Sequence, residues 1–205
     1  LTTLQDESVL ACGGVTTGGA ATYRAEIYNP GTGLWRATGG MSYARAGHAT
    51  ILLPDGRVLV VGGTGFLPRD GVASAATIAE CEIWNPVSGI WASAGRLSIA
   101  RNTPTVGILG TTLVVTGGGS VVTELLDLKT MRWSRSRTSL PDVRDGAPGV
   151  VLDNGTLYAA FGSKVGASQA ASSLLVTASE RIYSGGLNGQ FRVSAVPDGN
   201  TIEFM

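Results

Sequence analysis

Histidine occurs once and cysteine only twice in these 205 residues. That scarcity excludes a zinc site of the His/Cys type, a disulfide-dense scaffold and any site needing two histidines. Charge is sparse too: charged residues make up 15%, and 15 Lys+Arg balance 15 Asp+Glu. A neutral chain without a basic or acidic tract does not read as a nucleic-acid or membrane-surface binder. No apolar run approaches the ~20 residues a spanning helix needs, so membrane insertion is not expected. A starting methionine and a charged-then-apolar leader are also missing, which reads as a segment of something larger, with its compartment unspecified. No stretch sustains a helical period. Glycine is what the chain has in excess, 30 of 205, roughly twice the usual share.

The glycines recur in pairs after apolar runs. Val9–Cys12 leads to Gly13-Gly14, Val58–Val61 to Gly62-Gly63, Leu113–Thr116 to Gly117-Gly118, and Leu157–Ala160 to Phe161-Gly162. The second positions, 14, 63, 118 and 162, are 49, 55 and 44 residues apart. Trp35, Trp91 and Trp133 keep the same phase, and each is followed 10, 10 and 11 residues later by Arg45, Arg101 or Arg144. Each arginine precedes the next second glycine by 18, 17 and 18 residues, whereas glycine to tryptophan varies as 21, 28 and 15. Length variation is thus confined to one connection of a repeated unit.

Within each unit the local signals are strands and hairpins. His48–Leu53 and Arg57–Val61 are β-rich runs on either side of Pro54-Asp55-Gly56, and Asp153-Asn154-Gly155 stands at the equivalent place in the fourth unit. A third strand carries Glu26-Ile27-Tyr28, Glu82-Ile83-Trp84 or Glu124-Leu125-Leu126. Asn29–Gly33 and Asn85–Gly89 then turn it into a fourth strand bearing the tryptophan. Four short antiparallel strands per unit, repeated, describe an all-β protein built of propeller blades. The glycine pair suits close approach of neighbouring backbones, and the tryptophan suits the wedge between outer strands.

An arginine before the first strand, an L-x-D-G turn, V-x-V-x-G-G and a later E-x-Y/W-N-P-x-x-G-x-W resemble the kelch repeat. Arg45 through Trp91 matches nearly every element, including Gly47-His48. The third unit departs from it with Gly110-Thr111-Thr112 and Asp127–Thr130, and the fourth with Phe161 and Phe191. The resemblance implies a kelch-type β-propeller over residues 1–180, of about four blades. Since kelch propellers have five to seven, the ring is partial or unusually small, and its open strand edges invite pairing with other chains. Residues 181–205 are expected to form a C-terminal β-hairpin module or the start of a further domain. Leu187–Phe204 alternates apolar and polar residues around Pro197–Asn200. That stretch resembles a β-hairpin segment of bacteriophage tail and other virion structural proteins, which would place the chain in a virion.

The chemistry looked for is missing. Kelch-like oxidases that resemble galactose oxidase hold copper with two His and two Tyr, a set that His48 alone does not supply. Beside the first strand, His48 reads as structural. No G-x-S-x-G occurs, no nucleophile has an evident histidine partner, and no Asp-rich calcium loop or helix-capping phosphate cradle is present. Cys12 and Cys81 fall on the second and third strands of different blades and read as buried free thiols. We therefore expect a non-enzyme with no cofactor and no metal.

Recognition is expected on the rim that carries both the second-to-third-strand connections and the blade-to-blade connections, because long loops on a rigid scaffold concentrate binding. The candidate ligand-binding residues are Arg45, Phe66, Arg69, Asp70, Arg101, Asn102, Arg144 and Asp145. For the three repeated arginines two readings stand side by side: contact with carboxylates or planar sugars, or bracing of adjacent blades. The expected function is recognition or assembly, with other protein subunits in a symmetric assembly or a host-surface glycan as partner. The alternative is a segment of a secreted galactose-oxidase-like enzyme whose catalytic residues lie outside this chain.

Overall fold

The computed structural model describes residues 1–66, 75–140, 143–152, 156–160, 172–177, 182–186 and 191–193, and all regular structure among them is β. Strands β1 (Thr2–Thr3), β2 (Val9–Cys12), β3 (Ala25–Asn29) and β4 (Leu34–Thr38) form the first sheet. The second comprises β5 (Ala49–Leu52), β6 (Val58–Val61) and, after a separate ribbon of β7 (Thr64–Phe66) and β8 (Ala75–Thr77), β9 (Glu80–Trp84) and β10 (Trp91–Arg96). The third consists of β11 (Pro104–Leu109), β12 (Thr112–Gly117), β13 (Val122–Asp127) and β14 (Arg132–Ser139). In the fourth are β15 (Gly149–Leu152), β16 (Thr156–Ala160), β17 (Ser172–Thr177), β18 (Ile182–Gly186) and β19 (Phe191–Val193). Every pairing is antiparallel between successive strands of its sheet, so each sheet is a meander.

The chain divides into two compact units, Leu1–Asn102 and Thr103–Met205. The boundary expected at 180/181 falls between β17 and β18, which pair from Ser172↔Gly186 to Val176↔Ile182. Ile182–Gly186 satisfies its backbone groups against β17, and Phe191–Val193 adds a fifth strand. Most of the expected terminal hairpin, and the turn at 153–155, lie outside the described residues.

The turn between third and fourth strands shows how local chemistry sets the meander. Asn29 Oδ1 accepts from the amides of Gly31 (2.8 Å) and Thr32 (3.2 Å), and Asn85 Oδ1 does the same for Val87 and Ser88. Asp127 Oδ1 takes over in the third sheet, accepting from Lys129 and Thr130. An Asx side chain that caps two amides is the common requirement, which aspartate meets as well as asparagine. At the end of that turn Gly33 and Gly89 adopt φ 70°, whereas Met131 holds φ 55° without glycine's freedom.

In the first unit a buried cluster joins the two sheets: Leu10, Cys12, Ala25 and Ile27 from one, Val58, Val60, Trp84 and Trp91 from the other, with Leu4 and Met41. The second unit has its own, with Leu109, Val114, Leu157 and Ala159 packed beside Leu140 and Ala147. Burying side chains of this size contributes roughly 1.5–3 kcal/mol each. No helix among the described residues is long and apolar enough to cross a membrane.

Candidate functional site

The segment between the first two sheets works as a clamp. Arg45 is fully buried, and its Nη2 donates to Glu82 Oε1 at 2.8 Å. Nη1 donates to the carbonyls of Gly62 and Glu80, both at 2.9 Å. Glu82 also accepts from the amides of Ser42 (2.6 Å) and Tyr43 (3.3 Å). The Arg45 carbonyl in turn accepts from Gly14 N–H at 2.8 Å, so one residue ties the first sheet's glycine pair to the second sheet's third strand. The pattern repeats: Gly63 N–H donates to the Arg101 carbonyl at 2.8 Å, and Gly119 N–H to the Arg144 carbonyl at 3.2 Å. Glycine is needed here because a Cβ on Gly13, at φ 63°, would lie 2.6 Å from the Arg45 carbonyl oxygen.

The third strand of each of the first three sheets carries a glutamate, Glu26, Glu82 or Glu124, and comparing the three defines one face. In the second sheet Val58, Trp84 and Trp91 are in register, as are Val60, Glu82 and Ser93, and because side chains alternate they share a face. That face packs on the first sheet. Trp91 Nε1–H donates to the Gly39 carbonyl at 2.6 Å, and Trp84 Nε1–H to Thr38 Oγ1 at 3.3 Å. In the third sheet the equivalents Leu113, Leu126, Val115 and Glu124 are all buried. The first sheet carries the same face as Val9, Tyr28 and Trp35 beside Ala11, Glu26 and Ala37. Here Glu26 is exposed and Trp35 is 51% exposed, against 8% for Trp91. Tyr28 and Trp35 stack on each other at 5.1 Å, tilted by 45°.

A second feature departs from expectation. Along the sequence no nucleophile has an evident histidine partner, yet the fold brings Cys12 Sγ to 3.8 Å from His48 Nε2. Burial pushes the thiol up to about 11 and, with the Arg45 charge next, pushes the imidazole down to about 4. The pair is therefore a neutral thiol beside a neutral imidazole near pH 7, not the thiolate–imidazolium couple of a cysteine nucleophile. Cys12 and Cys81 are both free and buried.

Of the residues expected on the rim, Arg45, Arg101 and Arg144 are buried, and the contacts of Arg45 are those of a brace. Asn102 is exposed and Asp145 partly buried. Phe66 ends β7, while Arg69 and Asp70 lie outside the described residues. The two kinds of connection do run side by side in the first unit: Ala46 and Thr64 exchange both backbone bonds, at 2.9 and 2.7 Å, and Arg45 N–H donates to Thr22 O. Glu82 and the exposed face were missed, although Glu26, Glu82 and Glu124 were visible as repeated landmarks. Among the described residues no group of three His, Cys, Asp or Glu side chains is placed to hold a metal ion. Compared with known proteins, the chain matches no family model and no curated protein.

Proposed function

We propose that this chain is a non-enzymatic segment of a kelch-type β-propeller, serving assembly by docking a further sheet of the same repeat onto its first sheet. The carrying observation is the face of Val9, Ala11, Glu26, Tyr28 and Trp35, on which Glu26 and Trp35 are exposed, whereas its register-equivalents Val58, Val60, Glu82, Trp84 and Trp91 in the second sheet and Leu113, Val115, Glu124 and Leu126 in the third are buried. An exposed indole stacked on the half-buried Tyr28 ring beside an exposed carboxylate is a poor solvent face and a good interface core. The occupant that fits is a sheet from a second copy, which offers a carbonyl to the Trp35 indole as Gly39 does to Trp91. Guanidinium charge near Glu26 would complete the match. Burial of Arg45, Arg101 and Arg144 gives glycan recognition by these residues no support.

Sedimentation velocity over a range of concentrations tests the reading, combined with oxidative footprinting of Trp35. Reversible association that protects Trp35, and that Trp35→Glu abolishes while the fold is retained, is the expected result. A chain that stays monomeric at every concentration, with Trp35 freely oxidised, would overturn it.

A further inference from the structure

We propose that His48 is an acid-sensitive latch: protonation of its imidazole loosens the joint between the first and second sheets and uncovers the faces buried there. The residue stands where the glycine pairs of both sheets come together. A Cβ on Gly13, which follows β2, would lie 2.6 Å from His48 Cε1. One on Gly63, which follows β6, would lie 3.0 Å from His48 Cβ. Cys12 Sγ, at the end of β2, is 3.8 Å from Nε2. The side chain is only partly buried, yet this edge of the ring is pressed against the first sheet, with little room for the hydration shell of a cation.

The charges around the ring work against a second cation. Arg45 keeps its guanidinium inside the same joint, on Glu82 and on the carbonyls of Gly62 and Glu80. The Glu82 carboxylate is taken up by Arg45 and by the amides of Ser42 and Tyr43. Cys12 is neutral near pH 7, since burial raises its thiol to about 11. Arg24 and Arg101, whose carbonyls accept from Gly13 and Gly63, are again basic. Burial first, then the Arg45 charge and the Leu1 amino group, push the imidazole down to about 4, and backbone hydrogen bonds at Cys12 and Arg45 are the smaller, opposing causes.

The sign follows from proton linkage. In an open joint the ring regains water and its ordinary value of 6.5, whereas in the closed joint it titrates at about 4. Between those values the open form binds more protons, so closure is fully favoured above 6.5 and loses ground as pH falls toward 4. For one such group the opening equilibrium rises roughly 20-fold between pH 7 and pH 5, and roughly 300-fold in the acid limit. Opening uncovers Leu10, Cys12 and Ile27 on one side and Val60, Trp84 and Trp91 on the other. The latch is independent of the assembly proposed above.

Labelling of Cys12 by dithiodipyridine in the whole chain carrying Cys81→Ser reads the opening, once divided by the rate for the urea-unfolded chain at the same pH. The normalised rate should rise roughly 20-fold between pH 7 and pH 5, and stay nearly flat when His48→Gln is added. Because the chain has one histidine, NMR titration of its ring is unambiguous and should give about 4 in the folded protein. A ring that titrates at its ordinary value, a labelling rate that ignores pH, or an equal rise in the His48→Gln chain would each overturn the proposal. The titration and the pH dependence with His48 in place decide the matter even where His48→Gln fails to fold.

Discussion

The outer face of the first sheet and the same face of the second carry nearly the same side chains and live in different solvents. Glu82 is 2% exposed and held by Arg45 and two backbone amides, whereas its counterpart Glu26 is exposed. Trp91 is packed with its indole N–H on the Gly39 carbonyl, whereas the half-exposed Trp35 ring lies against Tyr28. Residue identity thus tells which side chains are suited to an interface, and the neighbouring sheet decides whether the interface exists.

The sharpest way to break this comparison is through the two glutamates. Glu82→Gln removes the charge opposite a buried guanidinium and should destabilise the chain by about 3–5 kcal/mol. Glu26→Gln should stay within about 0.5 kcal/mol. Denaturant unfolding of both variants measures the difference, and equal effects would refute the environments described. Next come the tryptophans. Trp91→Ala should cost about 3–5 kcal/mol through the cavity it leaves, while Trp35→Ala in the dilute chain should cost less than half as much.

The smallest effects belong to the first hairpin of each sheet. Hydrogen bonds from the Ser8 hydroxyl and amide lower Asp6, and the Arg57 side chain leads the causes that lower Asp55. A carboxylate lowered in the folded state stabilises above its unfolded value, near 3.8 for both, and loses that contribution as pH falls through the lowered one. Stability measured on acidification should thus fall less in Asp6→Asn and Asp55→Asn than in the parent. High salt should shrink the Asp55 effect more than the Asp6 effect, because the Asp55–Arg57 pair is partly exposed.

Much of the fold was legible because the repeat is local chemistry. Four antiparallel meanders follow from alternating strands, Asx-capped turns and glycine pairs, each readable from a few adjacent residues. The long second connection was also visible, and it holds the ribbon of β7 and β8. The site was legible only in part. The repeated arginines stood out, but their spacing is the same whether they brace the interior or meet a ligand, and burial settles their surroundings. Cys12 and His48 stand at an interval unrelated to the repeat, so no periodicity announces that they meet.

By itself, then, the sequence determined the strand content, the order of the meanders and the recurring positions of glycine, glutamate, arginine and tryptophan. Turn geometry and side-chain alternation act over two to five residues, and that information is written in the chain. Only the tertiary structure decided which copy of a repeated face is buried, which charges pair, and that one thiol lies against the single imidazole. Those outcomes depend on how one sheet packs against the next, where separation in space is unrelated to separation in sequence.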